Sequence, residues 1–252
     1  MMRRFEQHRG FLLIAVLVLL TITVLMSAWI LQRVTTQALV GERRIRGYVE
    51  HHELLGVRAL ALHWISRQDV RGELPELAKR GEVGYRAELP NNTVVMMSVA
   101  DGQGAILSRV EDMPTAEIRG RIVRALRRLP SDRPELTRGM GPLKVSVQAA
   151  SDEVLEALAG DDDVVARVLA EARRAVDEDD GDLVRRLNKA GLDQEQSQEI
   201  MELVTMSPTL WRLDVEVRDD VGSRRYEVLA LTEGNIQVVL DSRPSVRGDR
   251  DQ

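Results

Sequence analysis

The pattern of hydrophobic positions opens with an uninterrupted apolar run. From Phe11 to Leu31 the chain has 21 residues and no charged side chain. As an α-helix this run would rise about 31 Å, close to the ~30 Å hydrocarbon core of a bilayer. Trp29 lies near one end, where an interfacial aromatic residue is favoured. The run is longer than the apolar core of a secretory signal peptide, so it predicts a retained membrane-spanning helix.

The apolar pattern then changes its period without a break in the chain. Beyond Leu31, apolar residues recur at spacings near three and four and alternate with Arg, Glu and Gln, and no proline precedes Pro75. This spacing is typical of an amphipathic helix. We therefore predict one helix over 11–65 whose second half is amphipathic. Its apolar positions there are Val34, Ala38, Ile45, Val49, Leu54, Val57, Leu60 and Ala61.

A first group of strands follows a polar segment, 67–82, which we interpret as a turn. The stretches 83–89, 93–100 and 105–110 are short, rich in strand-forming residues and separated by turns that contain Pro, Asn, Asp and Gly. Such spacing predicts a small meander of three strands.

The last third of the chain returns to strands, at 210–219, 223–232 and 235–243. Apolar and polar residues alternate in the first of them, which is the pattern of a sheet with one solvated face. The alternating residues are Leu213, Val215 and Val217 against Asp214, Glu216 and Arg218.

Helices are predicted between the two groups of strands. One apolar stripe consists of Ile118, Ile122, Ala125, Leu126 and Leu129. Pro130 ends that helix. Ser151 is a good N-cap for a helix that begins at Asp152, and the acids at 161–163 suit the start of another, because a helix N-terminus favours negative charge. Further short helices are predicted near 182–190 and 193–204, so the fold class is α+β.

The amino-acid composition excludes or disfavours several classes of function. The formal net charge is −5, and the 32 arginines, against 3 lysines, are spread among 40 acidic residues. This balance disfavours nucleic acid as a partner. The absence of cysteine excludes disulfides, thiolate nucleophiles and cysteine zinc sites.

No set of residues predicts catalysis. The four histidines are His8, His51, His52 and His63, and none belongs to a metal-binding motif. The acidic runs 161–163 and 177–180 could hold calcium, but the second lacks EF-hand spacing, because Leu187 stands where the bidentate Glu would be. Helix caps and solvated loops explain both runs more simply. We therefore expect no enzyme, no cofactor and no metal site.

The leader before the apolar run is more specific. A short basic segment, residues 1–10, ends in Gly10, and Phe11 starts the hydrophobic run at once. This arrangement resembles the class III signal of type IV pilins and type II secretion pseudopilins. The resemblance implies that prepilin peptidase cleaves after Gly10 and methylates the new N-terminal Phe11. The mature chain would then carry a formal charge of −7.

One departure from the pilin pattern points to a subtype. Most pilins carry Glu at the fifth position after the cleavage site, and here that position is Ala15. A carboxylate in hydrocarbon is costly without a partner, which in pilins is the terminal amine of a neighbouring subunit. In lacking this Glu, the chain resembles the K-type minor pseudopilins, which form the general secretion pathway protein K family. The resemblance implies a position at the tip of the filament.

Later motifs resemble the same family in the same order. They are "VVMMSVADGQGAILSRV", "LKVSVQAASDEVLEAL", in which Ser146 and Gln148 replace the family's Asn residues, and Ser207 with Trp211 before the closing strands. The segment between Gly104 and Leu143 is shorter than in the family.

The resemblance implies a long N-terminal transmembrane helix packed on a small antiparallel-sheet head with an inserted all-helical domain. The expected segments are a leader (1–10), a pilin-type helix (11–65), the first part of the head (66–112), a short helical insertion (113–141), a K-type, helix-hairpin-helix-like domain (142–204), closing strands (205–243) and a disordered tail (244–252).

The resemblance also implies where the protein works and with what. The expected partners are the I-type and J-type minor pseudopilins, prepilin peptidase and the inner membrane, with no nucleic acid. The chain would cross the bacterial inner membrane once and place its C-terminal domain in the periplasm. The alternative is an unprocessed single-span anchor that carries a periplasmic binding or scaffold domain.

Overall fold

A computed structural model describes residues 4–89, 92–111, 113–175, 178–220, 222–234 and 236–245, and for residues 4–13 it describes the backbone only. The predicted turn at Pro90 and Asn91 and tail residues 246–252 lie outside this part of the chain. The chain divides into two compact units, Met1–Glu53 and Leu54–Gln252.

The first helix, α1, runs from Arg4 to Ser66. The predicted helix over 11–65 is therefore confirmed, and residues 4–10 of the expected leader are helical as well. The side chains from Ile14 to Val40 are all exposed, and the most apolar part has a mean hydropathy of 2.6. Among the described residues, this is the helix long and apolar enough to cross a membrane.

The second unit is built on a five-stranded antiparallel sheet, the head sheet, with the order β1-β2-β7-β8-β9. The strands of the described chain are β1 (Val83–Glu88), β2 (Val94–Asp101), β3 (Ile106–Leu107), β4 (Thr137–Arg138), β5 (Val145–Ser146), β6 (Val204–Thr205), β7 (Leu210–Asp219), β8 (Gly222–Glu233) and β9 (Ile236–Pro244).

One face of the head sheet is covered by the last turns of α1 and by α2 (Gln68–Arg80). Trp64 and Ile65 of α1 are buried against apolar residues of β2, β7 and β8. The alternation in β7 is confirmed, because Leu213, Val215 and Val217 are buried here while the polar residues between them lie on the opposite face. Burial of this apolar face is the main force that holds the last turns of α1, from Leu54 onward, to the sheet.

The helical domain consists of α3 (Ala116–Arg128), α4 (Asp152–Ala159), α5 (Asp163–Arg174), α6 (Asp180–Lys189) and α7 (Gln194–Met201), and these helices share one core. Side-chain caps set where the helices begin, since they satisfy backbone N–H groups that have no helical partner. Ser151 caps α4 as predicted, and Asp162 caps α5 from the first acidic run. The short parallel pair of β5 and β6 joins the segment before α4 to the segment after α7.

Two local predictions were wrong. The segment 67–82 is not a turn, because Val70 and Leu74 lie one helical turn apart and bury themselves against the head sheet, which stabilises α2 despite Pro75. The predicted meander of 83–89, 93–100 and 105–110 loses its third strand. β3 has two residues and pairs in parallel with β4, and β7 takes the place beside β2.

Candidate functional site: the apolar helix and the junction cavity

The predicted processing residues lie on α1. Gly10 and Phe11 are both within the helix, and the side chain of Phe11 is outside the described part of the structure. Ala15 follows one turn later and is exposed. From Phe11 onward the first acidic residue is Glu42, so no carboxylate interrupts the apolar segment.

The two threonine hydroxyls of the apolar segment are satisfied within the helix. The hydroxyl of Thr21 donates to the carbonyl oxygen of Leu17, and that of Thr23 to the carbonyl oxygen of Leu19, each at 2.8 Å. At the end of the segment the guanidinium carbon of Arg33 lies 5.4 Å from the ring centroid of Trp29. Because hydrocarbon supplies no hydrogen-bond partner, these contacts suit the segment to a bilayer.

A cavity of 610 Å³ lies within the second unit, where the head sheet meets the helical domain. It brings together residues from three separate motifs of the sequence. Asp101 ends β2, Gln148 follows β5, and Ser207 and Trp211 precede and begin the closing strands. The remaining lining residues are Pro75, Ala78, Lys79, Ala100, Ala149, Glu178, Asp179, Met206 and Pro208. We call this space the junction cavity.

Gln103 organises the backbone next to this cavity. Its amide nitrogen Nε2 donates to the carbonyl oxygen of Lys144 at 2.8 Å, and its Oε1 accepts from the N–H groups of Thr209 at 2.9 Å and Leu210 at 3.2 Å. Its own carbonyl oxygen accepts from the N–H of Ser146 at 3.0 Å. One buried side chain thus joins the end of β2 to the segment before α4 and to the segment after α7.

Beside these hydrogen bonds, the backbone at Gly104 lies very close to the backbone at Ala149. A Cβ atom on Gly104 would lie 2.4 Å from the carbonyl oxygen of Ala149, which is shorter than any van der Waals contact. Glycine at 104 therefore lets the loop after β2 lie directly against the loop after β5.

Arg138 is the buried cation of the junction. Its guanidinium donates to the carbonyl oxygens of Ala105 at 2.9 Å, Met140 at 2.9 Å and Lys144 at 3.0 Å, and also to that of Pro142. Burial lowers the pKa of Arg138 to about 10, against the opposing attraction of Asp101. At neutral pH it remains charged, and it satisfies four carbonyls that would otherwise have fewer partners.

Asp101 is the acidic partner of this network. Burial raises its pKa above the usual value, while the Ser146 hydroxyl, the N–H of Gln103 and the charge of Arg138 act in the opposite direction. The carboxylate Oδ1 accepts from the N–H of Gln103 at 2.7 Å. The arrangement positions backbone segments, and it contains no nucleophile paired with a base.

The sequence singled out some residues of this junction and missed others. Gln148, Ser207 and Trp211 line the cavity, and Ser146 is fully buried beside it. Gln103 and Arg138 were not identified. A polar residue between two glycines in "DGQGA" was an available signal for Gln103, whereas nothing local distinguishes Arg138 from the other 31 arginines.

No known family model and no curated protein matches this chain. A solved structure does. It is a chain of the crystal structure of the GspK-GspI-GspJ complex from the enterotoxigenic Escherichia coli type 2 secretion system. The TM-score is 0.50 at 13% sequence identity, and the match covers 80% of this chain and 99% of that chain. The two proteins share an α+β fold. At this identity the likeness establishes the fold alone.

Proposed function

We propose that this chain is a K-type minor pseudopilin at the tip of the type II secretion pseudopilus, where it initiates or caps assembly for protein export across the outer membrane. The observation that carries the proposal is the shared fold, which covers nearly all of a chain of a type 2 secretion complex. The exposed apolar half of α1 supports it, because such a helix needs a bilayer or a bundle of like helices.

Processing follows from the leader. Prepilin peptidase cleaves after Gly10, where the missing Cβ lets an enzyme approach the backbone. The mature chain begins with N-methylated Phe11 and stays in the inner membrane as a single-pass protein with its second unit in the periplasm. It has no enzymatic role, and its junction network serves to position the helical domain on the head sheet.

Ala15 suits a tip position. In the pilin pattern a carboxylate at this position neutralises the terminal amine of a neighbouring subunit. A subunit at the tip has no subunit above it, so a carboxylate here would have no terminal amine to pair with. The partners below it are I-type and J-type minor pseudopilins. The solved complex that shares this fold contains GspK, GspI and GspJ, which supports a heteromeric assembly.

The first experiment is the intact mass and N-terminal sequence of protein extracted from membranes of a secreting cell. We expect a chain that starts at N-methylated Phe11. Gly10→Leu is expected to retain the full leader and to reduce secretion, whereas Gly47→Ala, at an exposed glycine of α1 with free space around it, leaves both unchanged. An unprocessed chain in the parent protein would instead establish the single-span anchor.

Tip placement is tested separately with Ala15→Glu. A carboxylate inside hydrocarbon costs several kcal/mol unless it is partnered, so this variant is expected to assemble poorly with the I-type and J-type subunits. Ala15→Leu keeps the segment apolar and serves as the control. Normal co-purification and secretion with Ala15→Glu would contradict a tip position while leaving processing intact.

A further inference from the structure

The junction cavity has the size and the apolar surface of a ligand pocket. Its volume of 610 Å³ lies within the range of pockets that hold small molecules, about 300 to 1,000 Å³. Pro75 and Ala149 in its wall are exposed, and Ala78 and Pro208 are half-buried. Trp211 also lines the cavity and is itself buried. The exposed part of this wall gives a ligand apolar surface to contact.

The charged groups of the wall are mainly acidic. Asp101, Glu178 and Asp179 line the cavity, and Lys79 is the one basic residue among the described residues of its lining. Lys79 Nζ lies 3.2 Å from Oε1 of Glu76, which is outside the lining. Three carboxylates thus face one ammonium group, and that ammonium group already has an acidic neighbour.

The carboxylates at the start of α6 keep free capacity to accept hydrogen bonds. Glu178 Oε1 accepts from Nε of Arg186 at 2.9 Å and from Nη2 of the same residue, whereas Glu178 Oε2 is buried and has no partner. Asp179 Oδ1 accepts from the N–H of Asp182 at 2.8 Å, and no ion pair involves Asp179 in the described part of the chain. Because a buried acceptor without a donor is costly, a donor from outside the chain would be stabilising here.

Asp101 likewise has no ion pair within the described chain. The guanidinium of Arg138 donates to backbone carbonyl oxygens and not to this carboxylate. Burial raises the pKa of Asp101 despite the opposing charge of Arg138. A cation in the cavity would favour the charged form of this carboxylate. The electrostatics of the wall therefore favour a positively charged ligand.

We propose that the junction cavity binds a small organic cation, in which a guanidinium or primary ammonium group is carried on an apolar stem. The cationic group donates to Glu178 and Asp179, which are adjacent in the chain, and a planar guanidinium can reach more than one carboxylate oxygen. The stem lies against the apolar wall at Pro75 and Ala149.

Other ligand classes fit the cavity less well. An anion would be repelled by the three carboxylates. Among the described residues, no group of three or more acidic or histidine side chains is placed to hold a metal ion. The site lies within the second unit, so it depends neither on cleavage at Gly10 nor on a tip position.

The test uses the full chain in neutral detergent micelles, with EDTA to remove metal ions, and ligand-observed saturation-transfer NMR. The probe is phenethylguanidinium, and the reference compound is phenethylurea, which has the same stem and a planar but uncharged head group. We expect saturable binding of the guanidinium compound, about tenfold tighter than that of the urea, because charge-assisted hydrogen bonds are the stronger ones. The affinity should fall as salt increases. Micelles without protein measure the partition of both compounds into detergent.

Asp179→Asn is the first variant. Asparagine caps a helix about as well as aspartate, so the change removes the charge while α6 keeps its start. It is expected to weaken binding of the guanidinium compound about threefold, since the carboxylate is exposed. Asp193→Asn is the matched control, because Asp193 is an exposed N-cap of α7 with the same reciprocal hydrogen bonds and lies outside the cavity lining. It should leave the affinity unchanged.

Glu178→Gln is the second variant and is expected to weaken binding about tenfold, because this carboxylate is largely removed from solvent. Its melting temperature is measured as well, since Glu178 also pairs with Arg186. Equal binding of the two compounds, unchanged affinity in Asp179→Asn, or an equal loss in Asp193→Asn would overturn the proposal. Tighter binding of 3-phenylpropionate, an anion with a similar stem, would overturn it too.

Discussion

Gln103 accepts a hydrogen bond from the backbone N–H of Thr209 at 2.9 Å, although 106 positions separate the two residues. The bond ties the loop that leaves β2 to the segment that enters β7. Because β2 and β7 are neighbours in the head sheet, the whole helical domain is inserted between two adjacent strands. This one side chain holds the two ends of that insertion together.

Gln103→Ala is expected to lower the free energy of unfolding by about 3 kcal/mol. The variant leaves the N–H groups of Thr209 and Leu210 without this acceptor and removes one of the two donors to the carbonyl of Lys144, and a buried group left unsatisfied costs roughly 1 to 3 kcal/mol. Urea unfolding of the full chain in detergent, followed by tryptophan fluorescence, measures the change. Gln148→Ala is the control, because that side chain has no hydrogen bond among the described residues. A similar loss in both variants would contradict the role of Gln103.

Gly104→Ala is also expected to lower the free energy of unfolding. The new methyl group would lie 2.4 Å from the carbonyl oxygen of Ala149, and only a shift of backbone could relieve the contact. Overpacking of this kind typically costs about 1 to 3 kcal/mol. Gly139→Ala, at a glycine with open space around it, should change the melting temperature little. Equal melting temperatures for the two variants would show that the backbones separate easily here.

Arg138→Met tests the buried cation. It retains much of the volume but removes the donors to four carbonyl oxygens, so we expect a loss of about 3 kcal/mol or more in unfolding free energy. Arg138→Lys should recover only part of the loss, because an ammonium group lacks the planar fork of donors. Arg127→Met changes an exposed arginine and is the matched control. Full recovery with lysine would indicate that charge alone matters.

The pH dependence of stability should contain a contribution from Asp101. Burial raises its pKa in the folded chain above 3.8, the ordinary value of an aspartate side chain. The folded state therefore binds the proton more tightly than the unfolded state. This stabilisation is fully present below pH about 3.8 and is lost as pH rises through the folded pKa.

Asp101→Asn should flatten that part of the profile, since the amide has no proton to lose. Its Oδ1 can still accept from Gln103, which keeps the loop in place. Unfolding free energies across an acidic pH series measure the effect. The exposed Asp132→Asn is the control and should keep the slope of the parent. A profile for Asp101→Asn that matches the parent would mean that Asp101 does not contribute.

The closing strands show how far local pattern predicts structure. The predicted boundaries 210–219, 223–232 and 235–243 agree with β7, β8 and β9 to within one residue at each end. Alternation is strong there because one face of the sheet is buried and the other is solvated. Each residue's polarity thus reports its side of the sheet, and no knowledge of distant contacts is needed.

Two segments that precede the closing strands, 67–82 and 105–110, show where the local sequence pattern fails to predict structure. The segment 67–82 contains Gly72, Pro75 and many charges, which favour a turn when read alone. It forms α2 because Val70 and Leu74 find an apolar surface on the head sheet. Likewise, β3 pairs with β4, about thirty positions further along, and the chain between them offers no local sign of that pairing.

By itself, the sequence determined the long apolar helix, the helix caps at Ser151 and Asp162, and the alternating strands of the head sheet, because each depends on residues within a few positions of one another. Tertiary structure decided that β7 lies beside β2 and that Gln103 and Arg138 satisfy backbone groups far along the chain. These depend on which distant segments meet. Contacts between distant segments are set by burial of the apolar surface of the whole chain, which no single stretch of residues encodes.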